Sequence, residues 1–305
     1  MSFNLSLRPR IRLLVDVVLL GLLIVLVENF RRLWGPPTKR GFFCDDESLM
    51  YPYHENTVSP TLLHWLGLYL PLISLVVLES FLSHRKDRGH WATLWPVYNT
   101  VRWFLYGYVS NDLLKVIGKQ AIGRLRPHFF AVCSPHFPDG TSCSDELHRG
   151  DLKYHTDYEC RSDLSQATEE MIRDVNVSFP SGHSAMAFYG LVFVALHLRR
   201  RRWPLPGSLL SPVLQLACVA LAWFVAISRV MDYKHHWSDV AAGSLLGAGS
   251  AFAVTRAVVS EELQWRCQDS LASAKQEAAV ADAVSVKGGQ QMPHDLSLVT
   301  CQISN

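Results

Sequence analysis

The chain has 305 residues, 49% of them hydrophobic and 18% charged, with a formal net charge of +2. The charged share falls below the roughly 25% of soluble domains, and a balance this close to neutral excludes a dedicated nucleic-acid binder, whose phosphate contacts demand a strong basic excess. Nine Trp, ten Tyr and fourteen Phe exclude a wholly disordered chain, and seven Cys are too few for a small disulfide scaffold.

The apolar residues are gathered into six blocks. The first, Leu13–Val27, is interrupted only by Asp16. Arg8, Arg10 and Arg12 precede it, and the following ENFRRLWGPP offers no small-x-small cleavage site, so the block reads as an uncleaved anchor. Leu62–Leu82 is the second and Val97–Ile117 the third, the latter diluted by Asn99, Arg102, Asn111, Asp112 and Lys115. Ser184–Leu198, Leu209–Ile227 and Val240–Val259 complete the set. A bilayer crossing takes about 20 mostly apolar residues. The second, third, fifth and sixth blocks reach that length, and the first and fourth do so with flanking residues. Leu13–Val27 and Leu209–Ile227 are apolar on every face, which buried helices of a soluble protein are not. The expected fold is all-α, a polytopic membrane protein with six transmembrane helices. Residues 1–12 form a cytosolic N-terminus, 13–259 the six-helix domain, and 260–305 a mobile cytosolic tail without strong helical periodicity.

Basic loops orient such a protein. Arg8/Arg10/Arg12, HRKDRGH (84–90) and Arg199–Arg202 fall on alternate loops and therefore on one side, expected to be the cytosol. Both termini then face the cytosol, while the segments Gly118–Phe179 and Ser228–Asp239 face the other way. Cys44, Cys133, Cys143 and Cys160 lie on that non-cytosolic side, where disulfides form, and four thiols allow three pairings between which the sequence does not choose. Cys218 is a membrane-core residue. Asn176-Val177-Ser178 fits a glycosylation sequon on the same side as those four cysteines, close to the membrane. Asp16, and the Asp112/Lys115 pair three residues apart, read as packing or pairing groups within spans.

The third block ends into KQAIGRLRP (119–127), the fourth begins at FPSGHS (179–184), and the fifth leads through SRVMDYKHHWSD (228–239) into the sixth. Ends of odd spans and starts of even spans share one membrane surface, so topology alone brings these three motifs to one non-cytosolic rim. Lys119, Arg126 and Arg229 supply positive charge and donors suited to a phosphate dianion. Ser181-Gly182-His183 stands at a helix start, where free N–H groups favour an anion, although Ser181 is equally an N-cap. His235 and Asp239 are four apart, so that on a helix the carboxylate reaches one imidazole nitrogen and leaves the other as a lone-pair nucleophile. His236, three from Asp239, competes for that carboxylate. Arg124 reads as a loop or surface residue.

Lys119-x6-Arg126-Pro127, Pro180-Ser181-Gly182-His183 and Ser228-Arg229-x5-His235-x3-Asp239 resemble the three signature motifs of the type 2 phosphatidate phosphatase superfamily, intact and in order. RGFFCDDESLMYPY (40–53) and DYKHHWSD (232–239) resemble the lipid phosphate phosphatases, or phospholipid phosphatases, within it. The resemblance spans about Asp16 to Thr255. It implies metal-independent hydrolysis of lipid phosphate monoesters, among them phosphatidate, lysophosphatidate, ceramide 1-phosphate and sphingosine 1-phosphate. It further implies that His235 attacks phosphorus and forms a phosphohistidine, that Asp239 orients it, and that His183 protonates the leaving alkoxide. Lys119, Arg126, Ser181, Gly182 and Arg229 would hold the phosphate oxygens. The family spacing selects His235 over His236.

No metal or cofactor is expected, since no Asp/Glu/His set outside the motifs has metal-ligand spacing. The expected partners are lipid phosphates and the bilayer; a homo-oligomer is compatible with the sequence, and nucleic acid is not. The plasma membrane is the expected site, with endoplasmic reticulum or Golgi pools. The competing readings are a sugar-phosphate or polyprenyl-diphosphate phosphatase of the same superfamily, and a lipid-binding relative without catalysis.

Overall fold

A computed structural model of the chain describes residues 7–84, 90–148, 152–161, 165, 167–201 and 208–288. The basic run at 85–89 and Arg202 therefore lie outside the described residues. The elements are α1 (Leu7–Trp34), α2 (Pro60–His64), a π turn (Trp65–Tyr69), α3 (Leu70–His84) and α4 (His90–Ile122). They continue with α5 (Phe129–Cys133), α6 (Glu169–Asp174), α7 (Gly182–Arg200), α8 (Leu210–Met231) and α9 (Trp237–Gly288). Two short strands, β1 (Pro135–His136) and β2 (Glu159–Cys160), pair antiparallel in the segment between α5 and α6.

The helix starts follow from local chemistry. Ser59 accepts from the Leu62 amide with Pro60 at the first helical position, and Ser181 accepts from the Ser184 amide to start α7. Among the described residues, three stretches are long and apolar enough to cross a membrane: Pro60–Ser83, Leu210–Met231 and Trp237–Gln264. Their large apolar side chains point outward, with Leu216 68% and Leu245 74% exposed, and α1 turns Leu22 outward at 61%. Water does not favour that arrangement; lipid does. The expectation of six crossings thus meets three helices of that length and composition.

Helix α7 is different, because most of its side chains are buried, from Ser184 to Leu198. It packs against α4, α8 and the π turn. Against α9 the backbones also come close together. A Cβ on Gly243 would lie 2.4 Å from the Ser181 carbonyl oxygen, and one on Gly247 2.2 Å from that of Ala185. Only glycine at these two positions lets the α9 backbone rest on α7.

A second core lies outside the long helices. Phe42 is buried at its centre, with Phe129, Phe130, Phe137 and Tyr158 around its ring. Phe42 and His155 exchange backbone hydrogen bonds of 3.0 and 2.9 Å, joining the segment before α2 to the segment between α5 and α6. Cys44 pairs with Cys143 and Cys133 with Cys160, which resolves the three pairings left open by the sequence.

The segment after Ser260 departs from the expectation drawn from its weak periodicity. Helix α9 continues to Gly288, because Ala, Glu, Gln and Lys have high intrinsic helix propensity even without an apolar face. The chain divides into two compact units, Met1–Val254 and Thr255–Asn305. The residues that form the site described next all fall within the first.

Candidate active site

The three motifs meet at a cavity of about 400 Å³. Lys119, Arg126, Gly182, His183, Arg229 and His235 line it, as the sequence expected. Ser181 and Asp239 do not; they stand behind the wall. Ser181 is fully buried, and its Oγ accepts from the Ser184 amide and hydroxyl. Its own amide donates to the Asp239 carbonyl at 3.0 Å, tying the start of α7 to that of α9.

His235 is held differently from the i,i+4 expectation. Its Nδ1 lies 2.7 Å from the Ser178 carbonyl oxygen. A carbonyl only accepts, so Nδ1 carries the proton and Nε2 keeps the lone pair. The Asp239 carboxylate bonds elsewhere. Its Oδ2 accepts from Ser178 Oγ at 2.6 Å, and from the His236 amide at 3.1 Å and Nδ1 at 3.2 Å. Its Oδ1 accepts from Arg124 at 2.6 Å. The reason is local: α9 begins at Trp237, so His235 sits in the preceding turn, where four-residue spacing does not place two side chains together. Asp239 reaches His235 only through Ser178, whose Oγ is 3.4 Å from His235 Nδ1. The competitor His236 takes the carboxylate, and His235 takes the cavity.

The electrostatics favour neutral imidazoles among fixed cations. Burial, then Arg126, Lys119 and Arg229, holds His235 well below the usual histidine range. His183 donates from Nε2 to the Val58 carbonyl at 3.2 Å, and burial together with Arg229 and Lys119 lowers it to about 3. Lys119 is lowered to about 7 by burial and by the neighbouring Arg126.

Both arginines are aimed by the protein. Arg126 donates from Nε to the Asp174 carbonyl (2.8 Å), from Nη1 to the Lys234 carbonyl (3.2 Å) and from Nη2 to the Asp174 carboxylate (2.7 Å). Arg229 is almost fully buried; Nη2 donates to Asn56 Oδ1 at 2.7 Å and Nη1 to Asp232 Oδ2 at 3.2 Å. Asp232 also accepts from the Thr57 amide and hydroxyl, at 2.9 and 2.6 Å, which fixes the strap before α2 across the cavity. Arg229 Nε is buried without a partner among the described residues.

Several residues here escape the sequence reading. Arg124 is a part-exposed loop residue as expected, but its guanidinium also bonds Asp239 and Ser238, which the sequence did not reveal. Ser178, the last residue of the sequon, is fully buried with its hydroxyl committed to Asp239, and Asn176 Oδ1 is shut off from solvent. Tyr53, Asn56, His128, Asp174 and Lys234 also line or support the cavity; none is a fixed position of the three motifs, although Lys234 lies within the third and Tyr53 ends the segment 40–53, so the fold is what reveals them. Among the described residues no group of three His, Cys, Asp or Glu is placed to hold a metal ion. The arrangement can hold an anion among three cations while an imidazole lone pair faces it.

Comparison with known proteins accords with that geometry. A 39% identical relative from Drosophila melanogaster, named putative phosphatidate phosphatase, aligns over 78% of this chain and 67% of its own length. Phospholipid phosphatase 1 of Rattus norvegicus is 37% identical over 79% of this chain and 81% of its own. Phospholipid phosphatase 2 of Homo sapiens is 35% identical over 76% of this chain and 78% of its own. No solved structure matches the chain. The family model of the PAP2 superfamily matches residues 100–262, the stretch that carries all three motifs, and the chain belongs to that superfamily.

Proposed function

We propose that the protein is an integral-membrane, metal-independent lipid phosphate phosphohydrolase. The observation that carries this reading is the His235 Nε2 lone pair, fixed by the Nδ1–H bond to Ser178, in a cavity lined by Lys119, Arg126 and Arg229. Substrates are phosphatidate, lysophosphatidate, ceramide 1-phosphate and sphingosine 1-phosphate; of these, the names of the relatives support phosphatidate.

The three cations and the amides at the start of α7, Gly182 among them, bind the phosphate dianion. The Nε2 lone pair attacks phosphorus, the P–O bond to the lipid breaks, and its electron pair leaves on the alkoxide. His183 supplies the proton to that oxygen. Burial and the cations depress this ring, and the dianion offsets them, so on substrate binding His183 takes up a proton from solvent at Nδ1 and then delivers it to the alkoxide. In the second half-reaction His183 takes a proton from water, whose oxygen attacks the phosphohistidine and releases inorganic phosphate and a free His235. Phosphoryl transfer asks mainly for positioning and charge stabilisation, and three preorganised cations supply both. Asp239 acts at one remove, through Ser178, and Ser181 by capping α7.

The chain crosses the bilayer six times, with α1, α4 and α7 joining the three apolar stretches, and residues 13–259 form the catalytic domain. The cavity faces the non-cytosolic side, with both termini in the cytosol, chiefly at the plasma membrane. The two disulfides support that sidedness, because they belong to an oxidising compartment.

The test is phosphate release from lysophosphatidate micelles by detergent-purified protein in excess EDTA. Turnover is expected to persist, and to vanish in His235→Ala while the folded state survives. Strict dependence on added Mg²⁺, or activity retained in His235→Ala, overturns the reading.

A further inference from the structure

Lys234 has no role in the mechanism above. It belongs to the turn between α8 and α9, where Tyr233 takes the left-handed conformation (φ 51°) and the Lys234 amide donates to the Arg229 carbonyl at 3.0 Å. That turn sends the side chain into the wall of the cavity. The residue is only 4% exposed, and it immediately precedes the proposed nucleophile.

A buried ammonium normally takes a carboxylate. Among the described residues none pairs with this one, since the two nearby carboxylates are engaged: Asp232 by Arg229 and Thr57, Asp174 by Arg126. The Lys234 Nζ lies instead over the face of Tyr53, 3.3 Å from the ring centroid. Tyr53 is itself held edge-on by His128, so the seat is built rather than incidental.

Part of the motif cations' donor supply is already committed: Arg126 gives one N–H each from Nε, Nη1 and Nη2 to protein acceptors, and Arg229 gives one from each Nη.

We propose that Lys234 is a fourth phosphate-binding cation of the site, its ammonium passing from the Tyr53 ring to an oxygen of the bound phosphate. The inference rests on the phosphatase reading. A ring face is a weaker partner than a phosphate oxygen, so the exchange favours the bound state while keeping the empty site free of a competing carboxylate. Burial and the facing charges of Arg126 and Arg229, against Asp232 and Asp174, lower Lys234 to about 8, which suits a cation that an anion must stabilise.

Orthovanadate, a phosphate mimic that needs no lipid, is the probe. Lys234→Met should weaken its inhibition by about 10- to 100-fold and lower kcat/KM alike, and Lys234→Arg should recover much of both. Melting temperature in detergent separates binding from folding. On the wild-type protein, orthovanadate should also shield Lys234 from an amine-reactive label read by mass spectrometry, a measurement that stands even if the Met variant does not fold. Equal labelling with and without orthovanadate, or inhibition within about twofold of wild type in a folded Lys234→Met, overturns the proposal. A wild-type protein that releases no phosphate from any lipid phosphate sinks the parent reading instead.

Discussion

At the residue scale, the decisive interaction is a backbone carbonyl. The Ser178 oxygen fixes the His235 tautomer at 2.7 Å, while the Ser178 hydroxyl binds Asp239 at 2.6 Å. The two functions of one residue can be separated. Ser178→Ala keeps the carbonyl and loses the hydroxyl, so kcat should fall by about 3- to 10-fold, the worth of a single buried hydrogen bond. Asp239→Ala also strands His236 and a part-exposed Arg124, and should cost about 1–3 kcal/mol of stability, read as a lower melting temperature in detergent. A loss in Ser178→Ala as complete as in His235→Ala would mean that the hydroxyl, not the carbonyl, orients the ring. Spacing alone foretold a His235–Asp239 pair, and the start of α9 at Trp237 is what overruled it. Arg124 was illegible for a related reason: a basic residue two positions from a motif arginine looks like loop charge until the fold carries it to Asp239.

At the element scale, the site depends on how closely α9 approaches α7. The amide of Ser181 reaches the Asp239 carbonyl only because Gly243 and Gly247 bring the two backbones together. Gly247→Leu would place a side chain where the Ala185 carbonyl stands, 2.2 Å from the Cβ position. Overpacking of that kind costs about 1–3 kcal/mol and would shift His235 against the cations, so both melting temperature and turnover should drop. Gly249→Ala is the control. It has nothing within 4 Å, and replacing a helical glycine should leave stability equal or raised by about 1 kcal/mol. Equal behaviour of the two variants would refute the role given to the close approach. The long apolar blocks were plain in the sequence because hydropathy is a local property. The buried status of α7, and the continuation of α9 to Gly288, were not, because one depends on neighbours and the other on propensity without pattern.

At the scale of the whole molecule, a disulfide-tied aromatic core accompanies the cavity. Cys44–Cys143 closes a separation of 99 residues, worth about 4–5 kcal/mol in the chain-entropy view. Through the Phe42–His155 bridge and the Asn56 and Thr57 bonds, the same segment that carries Cys44 reaches Arg229 and Asp232. Reduction should therefore loosen the site as well as the core. If the cavity faces outward, intact cells displaying the protein should release phosphate from externally added lysophosphatidate, and a membrane-impermeant reductant should lower that rate. Phosphate release that appears only after permeabilisation, despite surface delivery, would reverse the proposed sidedness.

The sequence by itself determined the apolar helices, the order of the three motifs and six of the residues that line the cavity. These follow from hydropathy and from residue chemistry, both of which are written locally. Tertiary structure alone decided which cysteines pair, which nitrogen of His235 is free, and that the Asp239 carboxylate bonds Ser178 and Arg124 rather than His235. Those outcomes depend on distances between segments far apart in the chain. The modest +2 net charge and 18% charged share with which the chain presents itself thus conceal their most important feature. A few of those charges are buried around one cavity, and one of them, Arg126, is aimed by Asp174 from a segment that spacing along the chain does not bring near.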